Sequence, residues 1–385
     1  MTESAKYNSG IYTVFLSAFL VLFQLGIYFV YIPWNAERLQ ITEAEIGIGL
    51  LVFGISNLIG NQTSGRFVVP KIGTKNSIVI GLIGIAYCPL LLILSPNYLW
   101  FLLAFIPFGF CVGLFSPSAQ SQISMIEQKT SKIITPLYHA AFSFGSLVGA
   151  ISAFFTIKYI DNPILIFIAT GTMLIMGSLL VYKFGLLKSF EDLKKMPKFK
   201  LPKKSILFFG ILMMMNYATM GVILDWSALW LTKDLLVPLY LGGVIIIAFN
   251  LGEIISRLSA SKMIKGSSEK IVGGYFSILA GFILFMTILT GNLFVIIIGM
   301  LLFGFGTANF VAIILRQAIR VTDEPISLTV ANLITLGFAG FIFGPALVGY
   351  LAEYLGLTFN MYLLCITWGL NGVALIIIMK RLNLT

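Results

Sequence analysis

Twelve stretches of about 20 or more residues, each nearly free of charge, follow one another along this chain and dominate what it can fold into. They cover residues 11–33, 45–69, 75–95, 98–126, 134–157, 162–183, 205–231, 238–260, 269–289, 292–320, 325–352 and 358–380. Water is absent from the bilayer core, so each stretch must satisfy its own backbone, and a helix does so. A transmembrane barrel is excluded, because it requires alternating ten-residue segments rather than long apolar blocks. The composition agrees: 58% of the 385 residues are hydrophobic and 10% are charged, against about 25% charged in soluble domains. The expected fold class is an all-α membrane protein with twelve transmembrane helices.

The net charge of +10 would suit a nucleic-acid partner until the charges are located. With both termini cytoplasmic, 22 of the 25 Lys and Arg fall at inner loops and inner helix ends, and only Arg38, Lys158 and Lys233 fall at outer ones. That asymmetry is a topology signal with a component directed at membrane lipids, and no nucleic acid is needed to explain it. "MTESAKYNSG" leads into an apolar block with no small-residue cleavage site, so the block is expected to stay as the first span. Cys88, Cys111 and Cys365 lie inside apolar runs without metal spacing, and neither a metal nor a cofactor is expected. Compact loops point to a bacterial inner membrane, and nothing demands more than a monomer.

The longest polar segment is "KFGLLKSFEDLKKMPKFKLPKK", residues 183–204. It separates an N-terminal six-helix bundle (1–183) from a C-terminal one (205–385), with 184–204 as a cytoplasmic basic linker. The halves echo each other. "LIGNQTSGR" in span 2 answers "NLGEIISR" in span 8, and "FGSLVGA" in span 5 answers "FGPALVGY" in span 11. Gly145/Gly149 and Gly344/Gly349 are thereby placed on closely packing faces. Six plus six spans with a faint repeat predict two pseudo-symmetric bundles and alternating access to a site near the membrane midplane.

Three segments carry a family resemblance: "YHAAFSFGSLVGA" in span 5, "GVILDWSALWL" in span 7 and "GFAGFIFGPALVGYLAEYLGL" in spans 11 and 12. With the span count, they resemble the major facilitator superfamily (MFS), in a compact branch near the fucose-permease-like carriers. The loop between spans 2 and 3, "GRFVVPKIGTK", keeps Gly65, Lys71, Gly73 and Lys75 but lacks the family's usual acid. Span 4 has no arginine, and the Gly-Pro pair stands in span 11 rather than span 5. The resemblance implies that spans 1, 4, 7 and 10 line a cavity and that spans 2, 5, 8 and 11 flank it.

Polar residues at mid-depth are the candidate substrate-binding set: Gln24, Tyr28, Asn57, Asn216, Tyr217, Asn250, Asn309 and Asn332. Their amides and phenols suit the hydroxyls or carboxylates of a small solute. An interhelical hydrogen bond is the competing role for each. "NYATMG" adds Gly221 and a turn prone to unwinding. Charged groups near the bilayer centre cost about 2.5–3.5 kcal/mol and need a reason. Asp225 is expected near the outer surface, as a gate, a cation-coupling carboxylate or a structural acceptor. Glu253 and Arg257 share a helix face, either paired or with Glu253 exchanging protons. Arg316, with Arg320, either attracts an anion or snorkels to headgroups. His139, the only histidine, has Ser143 at i+4 and serves an inner gate, a proton relay or packing.

No catalytic set, phosphate-cradling loop or filter-like stretch is present in the sequence, so an enzyme, a primary pump and a channel are each disfavoured. The leading expectation is a secondary active transporter of a small polar organic solute, working by proton symport. A proton-antiport exporter of amphiphilic compounds and a non-transporting receptor-like member of the same family remain the alternatives.

Overall fold

The computed structural model describes residues 3–130, 134–160, 162–190, 204–322 and 326–383. Residues 191–203, most of the expected linker, lie outside the described residues. Every regular element among those described is helical. Eleven helical stretches are long and apolar enough to cross a membrane, and one of them, Glu43–Leu94, has 52 residues. At 1.5 Å per residue such a length is more than twice the ~30 Å hydrocarbon core. It is folded back at Gly73, whose φ of 85° and ψ of 167° break the helix in a region open to glycine. The stretch therefore makes two crossings, giving twelve among the described residues.

The chain divides into two compact units. The first comprises residues up to Ile41 and Ile48–Met196. It contains α1 (Glu3–Leu39), α2 (Glu43–Thr63) beyond its first turn, α3 (Val69–Ile85), α4 (Cys88–Leu94), α5 (Tyr98–Thr130), α6 (Thr135–Tyr159) and α7 (Pro163–Phe184). The second comprises Thr42–Gly47 and the residues from Pro197 onward. It contains α8 (Lys204–Gly221), α9 (Ser227–Lys233), α10 (Val244–Gly266), α11 (Phe276–Leu289), α12 (Leu293–Thr307), α13 (Phe310–Arg320), α14 (Ile326–Leu355) and α15 (Leu357–Arg381).

The inclusion of residues 42–47 in the second unit has a local cause. Lys233 Nζ lies 2.6 Å from Glu43 Oε1, Thr42 Oγ1 donates to Glu353 at 3.0 Å, and a Cβ on Gly47 would stand 3.0 Å from the Pro345 carbonyl oxygen. Thr42 and Glu45 form a reciprocal capping box at the start of α2, with bonds of 2.8 and 3.3 Å.

Both units use the same pairing scheme. In the first, α1 packs on α6 and α3 on α7, while in the second α8 packs on α14 and α11 on α15. Glycines set these crossings. A Cβ on Gly149 would fall 2.2 Å from the Phe23 carbonyl oxygen of α1, and one on Gly340 would fall 1.9 Å from that of Met214 in α8. The pairing of spans 2 and 4 follows suit at Gly60 and Gly113, and that of spans 8 and 10 at Gly252 and Gly304. The bilayer gives no hydrophobic force between helices, so close backbone approach is the main source of attraction. The apolar side chains left exposed on α7, among them Leu165, Met176 and Leu179, face what would be lipid.

Several helix starts are capped by an acid or amide side chain. Glu127 accepts from the Thr135 N–H at 2.7 Å and its hydroxyl at 2.9 Å at the start of α6. Asp234 does the same for Thr358 at 2.7 Å in α15. Asn162 and Asn292 cap α7 and α12.

Candidate functional site

Span 7 does not run as one regular helix. Between α8 and α9, residues Val222–Trp226 form a π-helical turn. The unwinding expected after Gly221 is instead a local widening, a geometry common at functional sites. Asp225 sits in this turn with 5% of its surface exposed. Among the described residues it accepts no hydrogen bond and enters no ion pair. Its Oδ2 lies 3.5 Å from where a Cβ on Gly221 would stand, and Pro345 of α14 borders the same space. The two following side chains share its isolation: Trp226 Nε1 and Ser227 Oγ are buried without partners.

The other ionisable candidates are committed. Glu253 and Arg257 pair along α10 at 2.6 Å, with side chains 4% and 19% exposed. Arg316 bonds Glu269 at 2.6 Å, and Arg320 and Gln317 donate to the same carboxylate. Arg316 is thereby held by an acid rather than left to an anion or to headgroups alone. His139 is exposed on α6, with its ring 5.4 Å from that of Tyr138 and 6.1 Å from that of Phe142.

The amides and phenols divide between the units. In the first, Gln24 Nε2 donates to the Ala86 carbonyl at 2.6 Å. That carbonyl lies at the break between α3 and α4. Gln24 therefore bridges a broken span, although its Oε1 stays unpartnered. Tyr28 packs edge-on against Phe108 and Phe167. Asn57 is buried on α2 with no side-chain hydrogen bond among the described residues.

In the second unit, Asn216 is buried and Tyr217 stacks edge-on with Phe338 of α14 at 6.0 Å. Asn332 Nδ2 has no partner. Asn250 bonds back to the Ile246 carbonyl at 2.8 Å. Asn309 donates to Ser256 Oγ at 3.0 Å, which brings it beside the Glu253–Arg257 pair on α10. Among the described residues, the amides of Gln24, Asn250 and Asn309 are thus engaged in helix contacts, whereas Asn57, Asn216, Asn332 and the Asp225 carboxylate make no side-chain hydrogen bond.

The loop that lacks the family's usual acid is backed by hydroxyls. Ser118 Oγ bonds Ser77 Oγ at 2.7 Å and approaches Ser64 Oγ at 2.9 Å, and Thr74 reaches Gln122 at 3.3 Å. These buried contacts tie the end of α2 to α3 and α5 without charge. Sequence reasoning passed over these serines, Ser256 and Glu269. Hydroxyls in an apolar run carry no periodic signal, and Glu269 was assigned to a span end.

The major facilitator superfamily profile matches residues 14–327. An uncharacterised MFS-type transporter of Yersinia pestis is 28% identical over 329 residues, covering 84% of this chain and 83% of that one. The membrane protein MosC of Rhizobium meliloti is 26% identical over 336 residues, covering 85% and 79%. Among solved structures, the nucleoside transporter NupG superposes with a TM-score of 0.73 at 13% identity, covering 97% of this chain and 98% of that one. The human organic anion transporter MFSD10 superposes with a TM-score of 0.67 at 14% identity, covering 96% and 99%. At these identities the structural likeness speaks for the fold alone. The profile match and the two-unit, twelve-crossing fold together make this chain a member of the major facilitator superfamily of membrane transporters.

Proposed function

We propose that the protein is a secondary active transporter that moves a small polar organic solute by alternating access, in symport with protons. The observation that carries the proton coupling is Asp225, a carboxylate 5% exposed inside a span with no hydrogen bond or ion pair among the described residues. An unpaired carboxylate is costly inside a bilayer and gains from taking up a proton. If solute binding and the two access states differ in how they hydrate Asp225, proton affinity and solute affinity are linked. Glu253 is the weaker candidate, because Arg257 already neutralises it. In the second unit, Asn216 and Asn332, amides without side-chain hydrogen bonds among the described residues, are the groups offered to the solute. The excess of Lys and Arg at one set of span ends supports a bacterial inner membrane with both termini cytoplasmic.

The test begins with thermal stabilisation of the purified protein over sugars, nucleosides, organic acids, amino acids and cationic drugs, because a ligand of the folded state raises apparent stability. The best hit is then assayed in proteoliposomes for counterflow and for accumulation driven by an imposed pH gradient. Asp225→Asn is expected to keep counterflow and lose accumulation. Accumulation by that variant at the wild-type level would refute coupling through Asp225. Absence of counterflow for every stabilising solute would refute transport itself.

A further inference from the structure

α15 buries an apolar row, Leu357, Met361, Leu364, Cys365, Trp368 and Leu375, and two amides, Asn360 and Asn371, interrupt it. Asn371 is 1% exposed, and both its Nδ2 and its Oδ1 lack a hydrogen-bond partner among the described residues. One turn earlier on the same face, Trp368 is also 1% exposed, and its Nε1 has no partner. Three buried hydrogen-bonding atoms therefore occur within one turn of one helix.

The side chains that flank these atoms along the helix meet apolar partners. Trp368 packs edge-on against Phe303 of α12 at 5.7 Å and against Phe310 of α13 at 5.1 Å, so its ring spans the break in span 10. One turn beyond Asn371, Leu375 and Ile313 both lie close to Gly273. Along α15, Asn371 is thus flanked by Trp368, which meets Phe310, and by Leu375, which with Ile313 lies close to Gly273. Asn309 begins α13 without capping it, since its amide is turned to Ser256 of α10. The chain ladder is interrupted there, and the side chain that would cap it serves another helix.

We infer that Trp368 Nε1 and the Asn371 amide form a buried binding site for a small hydroxylic guest, either water or a hydroxyl of a solute. The chemistry selects the class. Nε1–H and Nδ2–H require an acceptor, whereas Oδ1 requires a donor. A hydroxyl is both. A carboxylate has no proton for Oδ1, and an ammonium has no lone pair for the two N–H groups. A polar site with three such atoms meets the partner count that an internal water needs. The inference goes beyond the proposed function and stands whether or not that function holds, because it concerns the core of one unit.

Three tryptophans provide the test in the full-length protein. Trp230 is fully buried and its Nε1 donates to Thr358 Oγ1 at 2.9 Å, which makes it the internal reference for Trp368. Trp100, 57% exposed, marks the fast limit. The protein, labelled with 15N at its indoles and held in nanodiscs, is transferred to D2O and each indole N–H is followed. The Trp368 N–H is expected to exchange at least roughly tenfold faster than that of Trp230, and Asn371→Leu is expected to slow it towards the Trp230 rate. Glycerol, the simplest polyol, separates the two sources. A glycerol-dependent shift of the Trp368 resonance, absent in Asn371→Leu, assigns the site to solute hydroxyls, and no shift assigns it to water. The inference is overturned if Trp368 in the wild type exchanges no faster than Trp230. That comparison needs no variant, so it survives a failure of Asn371→Leu to fold.

Discussion

Replacing Gly340 by alanine tests the claim that close backbone approach holds each unit together. A Cβ at this position of α14 would meet the Met214 carbonyl oxygen at 1.9 Å, its carbonyl carbon at 2.8 Å and the Ala218 nitrogen at 3.2 Å. All three are backbone atoms of α8, so no rotamer change relieves the clash. Carbon needs roughly 3.5 Å from a non-bonded neighbour, so α8 and α14 must part by more than ~1 Å. Such a gap forfeits about a quarter to a half of each contact's attraction along the crossing. Overpacking typically costs about 1–3 kcal/mol, and a rigid backbone partner puts this site at the upper end. The helical gain of Ala over Gly, roughly 0.5–1 kcal/mol, offsets part of it. Gly369 on α15 is the control, because a Cβ there meets nothing within 4 Å. Thermal unfolding in detergent should show Gly340→Ala destabilised by about 1–2 kcal/mol and Gly369→Ala unchanged or stabilised by up to ~1 kcal/mol. Equal shifts for the two variants would refute the packing argument.

Four further outcomes follow from the same geometry. Arg257→Ala removes the cation 2.6 Å from Glu253 and should lower stability by about 3 kcal/mol, whereas the double change Glu253→Gln with Arg257→Met should cost less. Denaturation of the single and double variants side by side decides this, and equal losses would count against a structural pair. Gly73→Ala forces a side chain into φ 85° and should cost about 1–2 kcal/mol, read as a lowered unfolding midpoint. Trp230→Phe removes the bond to Thr358 and should cost about 1 kcal/mol, detected in the same assay. His139→Gln should leave the pH dependence of solute uptake intact, and loss of that dependence would move the coupling group from Asp225 to His139.

Legibility differed by residue. The pairing of Glu253 with Arg257 was open to inspection because i,i+4 spacing places both on one helix face whatever surrounds them. The glycines of spans 5 and 11 were legible as packing residues for the same local reason. Gln24 was expected among cavity residues, and its actual bond to Ala86 depends on a break in a neighbouring helix. No spacing within α1 records that break. Asn309 points to Ser256, a residue with no distinguishing neighbours in the sequence. Asn371 had a visible signal, an amide within an apolar span, but its lack of partners is a property of what surrounds it.

The sequence by itself determined the solvent and therefore the elements. Apolar blocks of bilayer length must become helices, because lipid offers no hydrogen bonds to an open backbone. It also pointed to the small residues at which helices meet. Tertiary structure alone decided which polar groups are bonded and which are left waiting. Asp225, Trp226, Ser227 and Asn371 differ from Gln24 and Asn309 in what neighbouring helices bring within about 3 Å. Hydrogen bonding is a short-range contact between segments distant in the chain, so it is fixed only when the helices have packed.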